Sequence, residues 1–442
     1  MALSRKRLRY VGSILSQGPT EAGYAFFRAR RRRRNLADDE SDLLPSDRLV
    51  ASTDFRVNAA DLLANSKVVA AYLGAGRIEI RTVRWFVPGF YLVWGGGVHT
   101  LLRFADHIAR HHGVHNSFTV FDSDDPAVVG RVREGIARAF PALVGAPVDP
   151  ASAEPGDCDA AIATAWESAW RLVRFRGARA KLLFLQDWEP DFYPAGSASA
   201  MLGEAARQGI PAVANTAALG DAYRAQGSPA VSFQPAVDHE LFHPLEGGRP
   251  DGPVRVVFYG RPRTPRNAFG LGLETLRRVK RHYGHAVEII CVGEDWDPGQ
   301  YGAADVLTNL GMLESLAAVA DLYRTCDIGL VFMLTRHPSY QPLEFMASGA
   351  VTVSNENPYT RWLLEHERNA LVCPPLPDLL ATQIGRLIED PGLRERLATA
   401  GRERVLDTSW DDELERVWRA ITGEQPFDEP ATAAPRSAAP RG

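Results

Sequence analysis

Four cysteines in 442 residues, with no C-x-x-C pair among them, exclude two architectures at once. A disulfide frame needs a dense, even set of thiols, and a cysteine zinc site needs closely spaced ones. Cys158, Cys291, Cys326 and Cys373 stand far apart, three of them in or beside apolar runs, and are expected to be buried free thiols in a reducing compartment. No apolar run approaches the ~18 residues that cross a bilayer, and no apolar signal core follows the basic start. The expected location is therefore cytoplasmic. The dinucleotide pattern G-x-G-x-x-G is missing, and Gly74-Ala75-Gly76 precedes an expected strand instead of following one, which counts against a dehydrogenase. A surplus of positive charge is missing as well: the formal net charge is −4.

That charge is unevenly spread. Residues 1–35 carry ten Arg or Lys against Glu21 alone, leaving 40 basic and 53 acidic residues for the remainder. An acidic body does not suit nucleic acid. The arm, with R-K-R-L-R-Y at 5–10 and arginines at 30–34, reads either as a solvated extension or as a segment lying on an anionic membrane, on the inner face of the plasma membrane. At this length the chain suits two domains with tails. The expected layout is a basic arm over 1–46, a first domain over 47–240, a second over 241–408, a last helix over 409–422 and a disordered Pro- and Ala-rich tail over 423–442.

Short apolar runs at 78–88, 117–122, 159–166, 181–190 and 210–216 alternate with helical stretches, and the pattern resumes at 254–260, 286–293, 306–313, 328–334 and 350–354. Strands alternating with helices mean parallel sheets covered on both faces, with ligands held at the strands' carboxyl ends. The chain should thus be α/β, with two doubly wound Rossmann-like domains. Gly95, Gly96 and Gly97 stand between a strand and a helix, where bare backbone can come close to a ligand. Arg261, Arg263 and Arg266 follow the strand that ends at Gly260, either facing an anion or forming a solvated basic loop. In the stretch from Asp327 to Asn357, a strand leads through a polar turn to a helix opening at Pro342 and stopping at Gly349. Glu344 then either caps that helix or receives a neutral part of a ligand such as a ribose diol. Asp187 and Glu189, at the end of 181–190, either handle an acceptor hydroxyl or cap the following loop. His107, His111 and His115 are spaced by four, as metal ligands on a helical face would be, and a solvated helix end is the preferred reading.

Several of these segments resemble GT-B glycosyltransferases of family 4, and within it rhamnosyltransferases of the WsaF type. P-S-Y-Q-P-L-E-F-M-A-S-G at 338–349 resembles the family's donor segment, Q-D-W-E-P-D-F-Y-P-A-G-S at 186–197 a WsaF-type segment, and G-R-P-x-x-x-R-N-A-F from Gly260 its diphosphate loop. The stretch from Val231 to Pro244 resembles the family's crossover between domains, so that the two domains would face each other across a cleft. The resemblance implies donor contacts from Ser339, Tyr340, Gln341, Leu343 and Glu344, from Gly96 and Gly97, from Asn267, and from Gly311 and Met312 against the base. It implies that Arg261 and Arg266 neutralise the departing diphosphate, that Asp187 is the base if configuration inverts, and that His99 and Glu189 meet the acceptor. Of two glutamates common in the family, Glu344 matches the second, whereas Arg336 stands where the first would be. The implied reaction moves L-rhamnose from dTDP-L-rhamnose to a saccharide hydroxyl, lipid-linked if the arm meets a membrane, without cofactor or metal. A nucleotide-sugar epimerase on the same fold and a non-catalytic partner subunit are the alternatives.

Overall fold

The computed structural model describes residues 57–249, 251–337 and 339–428. The arm expected over 1–46, its membrane-suited stretch 1–35 and the tail beyond residue 428 lie outside the described residues. A seven-stranded sheet holds β1 (Thr82–Val87), β2 (His115–Val120), β3 (Val148–Asp149), β4 (Cys158–Ala163), β5 (Ala178–Leu185), β6 (Ala212–Asn215) and β7 (Ala230–Phe233), in the order β3-β2-β1-β4-β5-β6-β7. A six-stranded sheet holds β8 (Val254–Tyr259), β9 (Val287–Val292), β10 (Thr308–Asn309), β11 (Ile328–Val331), β12 (Val351–Asn355) and β13 (Ala370–Cys373), in the order β10-β9-β8-β11-β12-β13. Every pairing between these strands is parallel. In each sheet the order reverses beside its first strand, between β1 and β4 and between β8 and β11. Loops leaving those carboxyl ends part in opposite directions and open a crevice.

Five helices build and brace the walls of that crevice: α1 (Ala59–Gly74), α2 (Gly96–His112), α3 (Trp166–Arg174), α4 (Gln341–Ala347) and α5 (Trp410–Ile421). Asn58 caps α1 in a reciprocal box with Asp61, an element that apolar spacing did not announce. Leu101, Leu102, Phe104, Ala105 and Ile108 form the buried face of α2, and Gly113, in the left-handed region at φ 65°, ends it. The strand expected over 328–334 stops at Val331, and Leu334 is 47% exposed.

Helix α5 follows the second sheet in sequence yet belongs to the core of the first. Leu414, Val417 and Ile421 are buried there, and Trp418 sets its ring 6.4 Å from Phe104, which stacks on Phe184 at 5.5 Å. Such aromatic pairs contribute roughly 0.5–1.5 kcal/mol beyond burial. Ser409 caps α5, and Asp411, Asp412 and Glu413 fill its first turn, where the helix dipole favours acids. The chain therefore passes between the sheets twice, and the two passages are tied: Gln234 N–H donates to Glu413 at 2.9 Å and Val237 N–H to Thr408 at 3.3 Å.

Residues 423–428 do not form the loose tail expected from Gly423. Asp428 makes an antiparallel bridge with Ala230, Arg224 holds its carboxylate at 3.1 Å, and Phe427 sets its ring 6.4 Å from Tyr72. One apolar anchor, hidden in the average composition of the tail, fixes this turn. All four cysteines are free; Cys158 is half-buried and the rest are buried.

Candidate active site

At the end of β8 the three arginines part ways. Arg263 is neutralised by Glu294 at 2.9 Å, whereas neither Arg261 nor Arg266 has a carboxylate within 4 Å among the described residues. Arg261 Nη1 lies 3.4 Å from the Tyr259 hydroxyl, and its Nε is buried without a partner. The Arg266 guanidinium lies over the Phe192 ring at 4.4 Å. Asn267, buried in the turn Pro265–Asn267, leaves its Oδ1 unpartnered. Arg263 and Arg266 are exposed, as in a solvated basic loop, whereas the orphaned Arg261 Nε and Asn267 Oδ1 are buried.

Helix α4 is pressed onto the sheet beside them. Gly329 of β11 permits this, since a Cβ there would stand 2.1 Å from the Phe345 ring, which is fully buried. That contact fixes Glu344 one residue earlier. No first-turn amide donates to its carboxylate, so Glu344 does not cap its own helix, and no other described group hydrogen-bonds to it. Burial pushes this carboxyl up to about 8. Gln341 Oε1 is likewise buried without a partner, Ser339 is half-buried and Leu343 is buried. Tyr323, buried beneath, interacts electrostatically with both Glu344 and Tyr259, which links α4 to the Arg261 end of β8.

The glycine loop meets a side chain from the other domain. A Cβ on Gly96 would stand 2.9 Å from the Tyr340 ring and one on Gly97 3.3 Å from Gln186, so what these glycines admit closely is protein. The Tyr340 hydroxyl sits 2.6 Å from Thr100 Oγ1, accepts from Asn215 Nδ2 at 2.9 Å and lies 3.2 Å from Gln186 Oε1. Thr216, next to Asn215, is held at φ 77°, a conformation that a β-branched residue adopts only under constraint. Tyr340→Phe should therefore cost about 1–3 kcal/mol of stability by orphaning these buried groups. Chemical denaturation measures it, and an unchanged midpoint would mean that the hydroxyl holds nothing in solution.

Tyr340, Leu343 and Glu344 line one cleft together with Gly96, His99, Arg103 and Asp238. His99 Nε2 faces the Arg103 guanidinium at 3.1 Å, and burial together with that cation lowers the imidazole to about 4. His99 is thus neutral, with Nε2 as acceptor. Arg103 also lies 3.6 Å from Asp238 and over the Trp410 ring at 5.2 Å, so the start of α5 forms one wall.

A second seam runs from β5 to the loop after β11. Asp187 accepts from Thr335 Oγ1 at 2.9 Å and from Trp188 N–H at 2.8 Å, and burial pushes its carboxyl up to about 6. Arg336, standing in place of a family glutamate, lies between Trp188 and Tyr359 at 5.6 and 5.4 Å and 3.8 Å from Asp191. It clamps the two domains. Glu189 is not brought to His99: it accepts from Trp166 N–H at 2.9 Å, capping the start of α3 instead of the following loop, and lines a separate small cavity with Trp188 and Tyr223. Gly311 and Met312 follow β10, held by Gly293 N–H on the Gly311 carbonyl at 2.9 Å and by Met312 N–H on Asp295 at 3.2 Å. Like Arg261, Arg266 and Asn267, they lie outside the small cavity that Glu344 lines.

The expectation of a solvated helix end holds at His111, which is exposed, and is corrected at His107. His107 is 2% exposed, 3.3 Å from Asp411 and 3.4 Å from Glu415, whereas His115 opens β2 and belongs to no helix. Helix α5 covers the turn that spacing alone left open to water.

Residues 254–385 match the model of the WsaF C-terminal domain. The chain is 43% identical over 367 residues to the O-antigen biosynthesis protein RfbC of Myxococcus xanthus, covering 81% of this chain and 28% of that protein's length. Among solved structures, sucrose-phosphate synthase from Thermosynechococcus elongatus superposes with a TM-score of 0.59 at 15% identity, over 78% of this chain and 100% of that one. Anabaena HepE, solved with UDP and glucose, gives 0.60 at 15% identity over the same shares. With two Rossmann-like sheets, a returning last helix and this likeness, the chain has the GT-B fold, and its second domain carries the match to the WsaF C-terminal domain.

Proposed function

We propose that the protein is a glycosyltransferase that moves a sugar from a nucleoside diphosphate to a saccharide hydroxyl during assembly of a cell-surface polysaccharide, with dTDP-L-rhamnose as donor. One observation carries the reading. Two guanidiniums without counter-carboxylates and one half-buried carboxylate without donors stand at neighbouring strand ends of a single sheet. Arg266 is exposed and the other two are half-buried, open to a ligand, and a diphosphate joined to a ribose satisfies all three.

In this reading Arg261 and Arg266 meet the charge that develops on the departing diphosphate, Glu344 receives the ribose hydroxyls, and Asn267, Ser339 and Gln341 supply further polar contacts. Gly311 and Met312 hold the base. An ionised Asp187, with its carboxyl near 6, can take the acceptor proton at neutral pH if configuration inverts. If it is retained, a donor phosphate oxygen does so. Neutral His99, held through Nε2 by Arg103, lines the cleft on the acceptor's side. The name of the Myxococcus relative, the HepE complexes and the WsaF resemblance support, in turn, polysaccharide assembly, a nucleotide-sugar donor and rhamnose. A cytoplasmic site of action, with a lipid-linked acceptor, fits a donor of that class.

Thermal-shift titration against a panel of nucleotide sugars tests this. A ligand at 100 times its Kd adds about 2.7 kcal/mol to the folded state, so dTDP-L-rhamnose should raise Tm saturably. A response to UDP-glucose alone would sink the rhamnose assignment and leave the transferase. No response to any nucleotide sugar would sink both, and donor turnover without acceptor would point to an epimerase.

A further inference from the structure

The corner where the end of α2 meets α5 brings together donor atoms that the sugar chemistry does not use. His107 Nε2 stands 3.4 Å from Glu415 Oε2, and His112 Nε2 stands 2.7 Å from the same oxygen. The three donor atoms lie within 4.8 Å of one another. A tetrahedral ion with bonds of about 2.0–2.1 Å spaces its ligands by about 3.3 Å, so modest side-chain shifts would seat one. We propose that His107, His112 and Glu415 bind a divalent transition metal of the zinc class, with water as fourth ligand.

The surroundings have the form of such a site. Asp411 Oδ1 lies 3.3 Å from His107 Nδ1, which is where a carboxylate fixes the tautomer of a ligating imidazole and leaves Nε2 free for the metal. Arg419 Nε holds the second oxygen of Glu415 at 3.1 Å, turning Oε2 inward. His107 is 2% exposed and rigidly seated, unlike a chance pair of surface histidines. A rival grouping of His107, His111 and Asp411 is less enclosed, since Asp411 is 66% exposed where Glu415 is 29% exposed. The site lies about 16 Å along α2 from Gly96, at 1.5 Å per residue, so its role is to fasten α5 onto the first domain and not to touch the sugar.

The test uses the full chain, stripped with chelator and titrated with zinc alone. One ion per chain should be retained through gel filtration, with a saturable Tm rise of about 2 °C or more. His112→Ala and Glu415→Gln, both at the protein surface, should each weaken zinc binding at least tenfold while apo Tm and circular dichroism confirm folding; His111→Ala should leave it unchanged. Absence of a retained ion, or binding that survives both substitutions, overturns the proposal. Loss on His111→Ala with retention on Glu415→Gln overturns the ligand set.

Discussion

Arg261→Ala should lower turnover at saturating donor by at least tenfold, and by as much as ~10²–10³-fold, the range for removing one fixed donor aimed at developing charge. In the proposed reaction the leaving diphosphate gains negative charge as the glycosidic bond breaks, and Arg261 would meet it with a guanidinium that no carboxylate has already neutralised. Arg263 supplies the contrast. Its charge is spent on Glu294 at 2.9 Å, and its side chain is 79% exposed, so Arg263→Ala should cost less than threefold. Steady-state transfer from dTDP-L-rhamnose, with melting temperature as the check on folding, compares the two. A fully active Arg261→Ala enzyme would remove this residue from the chemistry, and equal losses at both positions would reduce the effect to general basicity of the loop.

The second large effect has opposite signs in two measurements. Glu344→Gln should weaken nucleotide binding by about 10–100-fold, since hydrogen bonds to a charged group contribute roughly 1.5–3 kcal/mol, and should stabilise the unliganded protein by about 1–2 kcal/mol at pH 8. The sign follows from linkage. Burial raises this carboxyl from its ordinary 4.5 to about 8, so between those values the folded protein keeps a proton that the unfolded chain has released. Its contribution to stability is full below about 4.5 and is lost as pH rises through 8, where folding must hold a half-buried charge with no partner. The glutamine variant lacks that slope. Denaturation at pH 5 and pH 8, paired with nucleotide titration, reads both effects. Should Glu344→Gln destabilise the protein at pH 8, its carboxylate would be serving the fold and not a ligand.

The doubly wound sheets were legible because buried parallel strands leave continuous apolar runs, as at 181–185 and 350–354, and because Gly349 and Pro342 punctuate the helix between two of them. The placement of Arg261, Arg266 and Glu344 was legible for the same reason: they sit at strand ends fixed within a single domain. What the sequence concealed depends on contacts between distant segments. Gly96 looked like a cradle for a ligand, and the group it admits comes from Tyr340, 244 positions later. Glu189 looked like a neighbour of Asp187 in function, yet the nearest orphan amide belonged to Trp166. His107 looked solvated because the amphipathic helix that buries it begins only at Trp410. Asn215 and Thr216 gave no signal at all, since an unusual φ at a threonine leaves no trace in composition.

The tie between Gln234 and Glu413, and between Val237 and Thr408, has a mechanical consequence. A single linker would let one lobe swing in any direction. Two adjacent, stapled passages define a line, and rotation about that line is the easy motion left. The lobes should therefore open and shut as the covers of a book do about its spine, returning Tyr340 to the same keyhole each time they close.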